Sequence, residues 1–304
     1  MKNKNMGFAS PQEYRETERR LKNYQKRLYE KGNKVFERIE SERRRSASPQ
    51  SSKVIHGEGM TRKDNTIWLA SYPRSGNTWF RLLWSHYTGL PTFSVHQDGH
   101  RKRNPIPMKI LKVPPSMYKT TALTKTHYRE VPPLDTLPAV VLVRDGRDMA
   151  VSYWHYLKEI DNYNVPDGVL EEMIATGDIM FGSWTSWLKH WLIERATPAS
   201  IVWTFDEITT RSPSEIIGRT LNALDIAQPD TDAEPPPDFT SLQKLDPAFF
   251  RRGVSRQFID YPNLTKLFTT HQAKGMEMYR ALVSVPAEAR GLLFRAPRSE
   301  RVAQ

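Results

Sequence analysis

The sequence predicts an α/β fold, a central parallel sheet with helices on both faces and a P-loop-like anion-binding turn after the first strand. Three observations carry that prediction. Thr66–Ser71, Ala139–Val143 and Ile201–Thr204 are short, uninterrupted apolar runs, the pattern of strands buried on both faces. The first two lead through polar turns into apolar residues at helical spacing, beginning at Trp79 and at Met149. The turn after the first run, Tyr72 to Thr78, places Ser75, Gly76 and Thr78 at a helix N-terminus, where free N–H groups and the backbone dipole suit a phosphate-like anion.

Composition sets outer bounds. The 304 residues, 38% apolar and 26% charged, are ordinary for a soluble protein and enough for a substantial core. With no cysteine, a disulfide scaffold, a thiolate nucleophile and a cysteine-ligated metal are excluded. No apolar run approaches the ~18 residues that span a bilayer, and the N-terminus lacks the apolar stretch of a secretory signal. A cytoplasmic protein without membrane contact is expected.

The charge is concentrated ahead of the first strand. Residues 1–65 hold 17 Lys and Arg against 9 Asp and Glu, so this arm and linker carry +8 of the chain's +11. Ser10, Pro11 and Glu13 form a helix-start signal, and Tyr14, Leu21, Leu28 and Val35 make a thin seven-residue seam interrupted by Gly32. Such a seam suits a helix laid on its own domain or on a partner, including a second copy of the chain, better than a stable coiled coil. Interspersed Glu argues against a phosphate-tracking stripe, so nucleic acid is disfavoured as a partner. The main domain is expected over 66–285 and a tail over 286–304.

Within the first turn, Gly76 lets backbone approach an anion and Arg74 adds a permanent cation. The G-x-x-x-x-G-K-[ST] pattern is absent, which disfavours an ordinary nucleotide kinase or ATPase. Arg144 stands at the carboxyl end of the 139–143 strand, and Ser152 follows two helical turns later, able to point back toward it. Read alone, Arg144, Asp145, Arg147 and Asp148 would form a surface ion-pair network.

Taken together, the segment from Tyr72 to Trp79 and the pair Arg144 and Ser152 resemble the cofactor-binding segments of the sulfotransferase family, which uses 3'-phosphoadenosine 5'-phosphosulfate (PAPS). Three further stretches agree in order. Lys125, Thr126 and His127 resemble the segment carrying the family's catalytic base; Gly182, Ser183, Trp184 and Trp191 resemble its GSW motif; Phe250 to Gly253 resemble the segment that closes over the 3'-phosphate.

The resemblance implies that Arg74, Ser75, Gly76, Asn77, Thr78 and Trp79 hold the 5' end of PAPS, with Trp79 stacking on the purine. Arg144, Ser152, Arg251, Arg252 and Gly253 would hold its 3'-phosphate, and Phe205 would accompany the adenine. His127 would be the base, since an imidazole of ordinary pKa ~6.5 can take a hydroxyl proton near neutrality. Lys125 would meet the moving sulfuryl oxygens. Three departures stand out. Arg74 replaces the usual Lys and cannot supply a proton, Asn77 replaces a Thr, and Val254 to Phe258 replace a Trp-containing stretch, with Phe258 expected to take over its packing.

The acceptor side, residues 85–120 and 157–184, is expected to include a long ordered loop. His96, Asp98 and His100 have the spacing of a metal triplet, but three side chains define no geometry and this chemistry needs no metal. Arg101, Lys102 and Arg103 would suit an acidic acceptor, although a solvated loop is the plainer reading. Trp184, Trp187, Leu188 and Trp191 fit a buried helical stripe, and helices are expected over Pro213–Leu224 and Leu264–Val283. The resulting expectation is sulfuryl transfer from PAPS to a hydroxyl, with an amine as second choice, of a small molecule or saccharide. The rivals are a kinase-like phosphotransferase using the same turn and a non-catalytic binding protein.

Overall fold

The strand Thr66–Ser71 (β1) is buried along its whole length because it occupies the middle of a five-stranded sheet. A computed structural model describes residues 66–96, 121–129, 136–159, 166–195, 197–227, 236, 239–245 and 255–294. The other strands are β2 (Thr92–Ser94), β3 (Ala122–Thr126), β4 (Ala139–Val143) and β5 (Ile201–Thr204). Their order is β2-β3-β1-β4-β5 and every pairing is parallel. The three strands expected from the apolar runs are therefore present, and the α/β architecture stands.

Alternation along β1 divides the interior into two cores. Ile67 and Leu69 pack with Phe80, Leu83, Trp84 and Trp203 on one face, while Trp68 and Ala70 pack with Met149, Tyr153 and Trp187 on the other. From β1 the chain adds β2 and β3 on one side and then β4 and β5 on the other. Connections therefore diverge at the carboxyl end of β1, the switch point where open parallel sheets form their ligand crevice.

Helix α1 (Asn77–Thr88) follows β1, and α2 (Gly146–Glu159) follows β4. The second begins three residues ahead of the Met149 expected from its apolar spacing. Asp145 Oδ1 accepts the Arg147 N–H at 2.9 Å and so caps the first turn. Gly146 is required there, since a Cβ would stand 2.5 Å from Phe268 Cε1. Helix α3 spans Asp167–Thr176, and α4 (Trp184–Lys189) runs on into a π turn over His190–Glu194. Helices α5 (Phe205–Thr210) and α6 (Pro213–Ala223) follow β5, and α7 is Phe239–Leu245.

Two expectations are corrected. The stretch Leu264–Val283 is two helices, α8 (Pro262–His271) and α9 (Ala273–Val283), broken at Gln272. The Gln272 side chain donates to the Ala175 carbonyl at 2.7 Å and accepts the Thr185 N–H at 2.9 Å, so a tertiary bond fixes the break. The segment 85–120, expected as loop, contributes the end of α1 and the edge strand β2, with residues 97–120 outside the described set. Among the described residues no helix is long and apolar enough to cross a membrane.

Candidate active site

The turn from Tyr72 to Gly76 changes direction through two left-handed residues, Arg74 (φ 67°) and Gly76 (φ 90°). Gly76 suits its place for two reasons: L side chains rarely adopt its φ, and a Cβ would stand 2.5 Å from Ile208 Cδ1 and 3.1 Å from the Phe205 ring, which would have to shift. The turn is thus pressed against α5 while it delivers the N-terminus of α1. Gly76 provides no side-chain cap for that helix, leaving its first N–H groups facing the turn. Ser75 Oγ and Asn77 Oδ1 are buried without a hydrogen-bond partner among the described residues. A helix N-terminus with the unpartnered Ser75 hydroxyl, a donor, beside it fits an anionic group, whereas Asn77 Oδ1 can only accept and adds nothing toward one.

Arg144 closes the cradle from the end of β4. It is 5% exposed, lies 4.0 Å over the Phe205 ring, and donates from Nη1 to the Arg74 carbonyl at 3.2 Å. Burial pushes its guanidinium below the ordinary value, and the carboxylates of Asp148, Asp206 and Asp145 push back. Arg74 in turn donates from Nε to Ser152 Oγ at 3.1 Å and sits 5.3 Å from the centre of the Tyr156 ring. Arg74, Arg144, Ser152 and Phe205, expected at opposite ends of one nucleotide, therefore share one cluster. Trp79 borders it, partly buried, with its indole N–H donated to the Ile208 carbonyl at 2.8 Å.

His127 leaves the end of β3 beside this cluster. Its Nδ1 lies 2.6 Å from the Ser71 carbonyl, an oxygen that can only accept, so Nδ1 carries the proton and Nε2 is the basic nitrogen. Ser71 Oγ, 3.3 Å from the same Nδ1, accepts the Asn77 side-chain N–H at 3.0 Å. One hydrogen-bonded chain thus joins the turn before α1 to His127. Lys125 is buried two residues before His127, level with Leu69 of β1 and Ser94 of β2.

Ser71 lacked any sequence signal beyond closing a strand. Asp148, which read alone would be half of a surface ion-pair network, is not on the surface. Its carboxylate is buried and accepts the backbone N–H groups of Arg256, at 2.6 Å, and Phe258, at 3.3 Å. Burial raises its pKa despite those bonds and the Arg144 charge. The expected pair between Arg147 and Asp145 does form, at 2.6 Å, and the Arg147 guanidinium covers the Phe258 ring at 3.9 Å. Ser255 Oγ donates to Asp206. Arg251, Arg252, Gly253, Asp98, His100, the triplet 101–103, the arm and residues 295–304 of the tail lie outside the described residues.

The GSW segment serves as frame. Tyr72 donates its hydroxyl to the Gly182 carbonyl at 2.5 Å, Ser183 caps α4, and Trp184, Trp187 and Trp191 are the buried stripe expected. Trp191 donates to the Tyr128 carbonyl at 3.0 Å, bracing the residue after His127.

Residues 64–227 match the family model described as "Sulfotransferase domain". Mouse Sulfotransferase 1B1 is 26% identical over 187 residues, 52% of this chain and 58% of that protein. Mouse Sulfotransferase 1E1 is 26% identical over 237 residues, 64% of this chain and 77% of that protein. The chain thus spans little more than half the length of the first relative and about three quarters of the second. Among solved structures, mouse sulfotransferase SULT7A1 complexed with PAP superposes with a TM-score of 0.49 at 19% identity, covering 68% of this chain and 84% of that one.

Proposed function

The chain belongs to the sulfotransferase-domain family, and from that premise we propose that it moves a sulfuryl group from PAPS to a hydroxyl of a small molecule or saccharide, an amine being the second choice. The observation that carries this reading is the convergence, at one sheet edge, of an anion cradle, the Arg144 and Ser152 pair, and a histidine held with Nε2 as its basic nitrogen. PAPS brings the activated sulfuryl group and a nucleotide leaving group. Ser75, Gly76, Asn77 and Thr78 would hold its 5' end at the start of α1, and Arg74 would stabilise growing negative charge without giving up a proton. Arg144 and Ser152, with Arg251, Arg252 and Gly253, would hold the 3'-phosphate; Phe205 and Trp79 would flank the purine.

His127 Nε2 would accept the proton of the attacking hydroxyl while Nδ1–H stays on the Ser71 carbonyl, so the ring need not turn when it becomes charged. The buried Lys125 ammonium would face the sulfuryl oxygens. Incubation with radiolabelled PAPS and a panel of hydroxyl and amine acceptors tests the reading. Label should reach a hydroxyl acceptor without magnesium, and 3',5'-bisphosphoadenosine should bind more tightly than ADP. Magnesium-dependent transfer from ATP with no preference for a 3'-phosphate, or nucleotide binding with no transfer to any acceptor, would overturn it.

A further inference from the structure

His96 sits just beyond the edge strand, and the register of β2 on β3 explains where it arrives. Thr92, Phe93 and Ser94 lie level with Leu123, Thr124 and Lys125, so two residues further on His96 comes level with His127. The ladder continues as far as the Val95 N–H, which donates to the Lys125 carbonyl at 3.2 Å. There the main chain of β2 turns away. Ser94 Oγ accepts the His96 N–H at 3.2 Å and donates to the His96 carbonyl at 3.0 Å, a local turn that withdraws the backbone from the sheet. The next ladder position is filled by a side chain: the His127 backbone N–H donates to His96 Nε2 at 2.8 Å.

An amide N–H can only donate, so His96 Nε2 is unprotonated and His96 is the neutral Nδ1–H tautomer. The two imidazoles also stack, with centroids 4.9 Å apart and planes 24° from parallel. Phe181 meets both rings edge-on, at 5.5 Å from His96 and 5.4 Å from His127, and Tyr128 lies 4.8 Å from His96. His127 is therefore fixed at its Nδ1 by β1, and at its main chain and over one ring face by His96, the second residue after β2.

We propose that His96 is a positioning residue for the base, locking the backbone and ring plane of His127 so that Nε2 keeps its aim at the acceptor hydroxyl. This rests on the sulfuryl-transfer reading above. A positioned base loses rate when its orientation loosens, with little change in how the nucleotide binds. A metal role for His96 does not fit this arrangement, because Nε2 is engaged by the His127 N–H and the ring proton then sits on Nδ1, leaving neither nitrogen a free lone pair.

The test combines one measurement that needs no catalysis with a variant series on the full chain. In nitrogen-15-labelled protein, a through-hydrogen-bond nitrogen–nitrogen coupling should link the His127 amide to His96 Nε2. H96F keeps an aromatic face and removes the acceptor; H96Q returns an acceptor near the Nε2 position. H96F should lower kcat about five- to tenfold, the size expected for one lost hydrogen bond, with the KM for PAPS and the affinity for 3',5'-bisphosphoadenosine unchanged. H96Q should recover most of that loss. Wild-type kcat in H96F, or a loss shared equally by kcat, nucleotide affinity and melting temperature, overturns the proposal. So does an active wild type that lacks the coupling. A wild type inert toward every acceptor but showing the coupling instead overturns the transfer reading, and with it any catalytic purpose for the contact.

Discussion

His127 owes its tautomer to a backbone oxygen, and that fixes how its loss should read. Replacing it with alanine removes the basic nitrogen but leaves the turn, Arg144 and Ser152 in place. H127A should lower turnover by about 10² to 10⁴, as for other general bases, while calorimetric affinity for 3',5'-bisphosphoadenosine stays within about twofold. Turnover close to wild type would remove His127 from the chemistry. The same lone pair dictates the pH response: once Nε2 is protonated it cannot accept, so kcat should fall on the acid side by about tenfold per pH unit. Gly76 makes a second case. Alanine there meets both a φ of 90° and a 2.5 Å approach to Ile208, so G76A should cost about 1–3 kcal/mol in denaturant unfolding and weaken nucleotide binding. An unchanged midpoint with full binding would mean that the turn relaxes freely. Residue type and place made His127, Arg74, Arg144 and Ser152 legible in the sequence. Ser71 was not, because its contribution is largely a main-chain carbonyl, which every residue possesses.

Elements were legible in proportion to how much of their pattern is local. The strands β1, β4 and β5 announce themselves as apolar runs, whereas β2 has three residues, too few for periodicity to show. The break at Gln272 was hidden because apolar spacing continues across it, and the bonds that impose it come from Ala175 and Thr185, nearly a hundred residues earlier. The junction of β5 and α5 couples element stability to the site. Thr204 ends the strand and caps the helix, exchanging hydrogen bonds with Glu207 in a reciprocal capping box. Glu207 also takes Arg290 at 2.5 and 3.1 Å, and Arg290 donates to the carbonyls of Val202, Leu282 and Val285. Burial alone would raise the Glu207 pKa, but the bonds from Arg290 and Thr204 outweigh it and hold the carboxyl below its ordinary value. A depressed folded pKa means that this stabilisation is present above the unfolded carboxyl's ~4.3 and is lost as pH falls through the folded value. E207Q should therefore lower stability at pH 7 by about 2 kcal/mol and flatten the acid limb of the stability profile, read by urea unfolding between pH 3 and 7. An acid limb as steep as wild type would show that the carboxylate is not held by these partners. Because α5 carries Phe205 and Ile208 against Gly76, the same variant should loosen nucleotide binding.

At the scale of the molecule, the proposed donor would contact the ends of β1 and β4, the body of α2 and the start of α5, so binding should stabilise the fold as a unit. With the full chain, 3',5'-bisphosphoadenosine at a hundred times its Kd should add about 2.7 kcal/mol, raising the melting temperature by about 5–10 °C. ADP shares the adenosine and the 5' anion but lacks the 3'-phosphate, and at equal concentration it should shift the transition much less. The difference isolates the Arg144 and Ser152 side of the crevice. A chain of net charge +11 attracts either nucleotide from a distance, and rising salt weakens that attraction for both, so general electrostatics does not discriminate between them by phosphate position. Arg144→Ala should accordingly collapse the gap between the two ligands while leaving the smaller ADP shift in place. If wild type responds equally to both nucleotides, or if R144A preserves the gap, the 3'-phosphate is held elsewhere and the convergence of Arg144, Arg74 and Ser152 serves the fold alone.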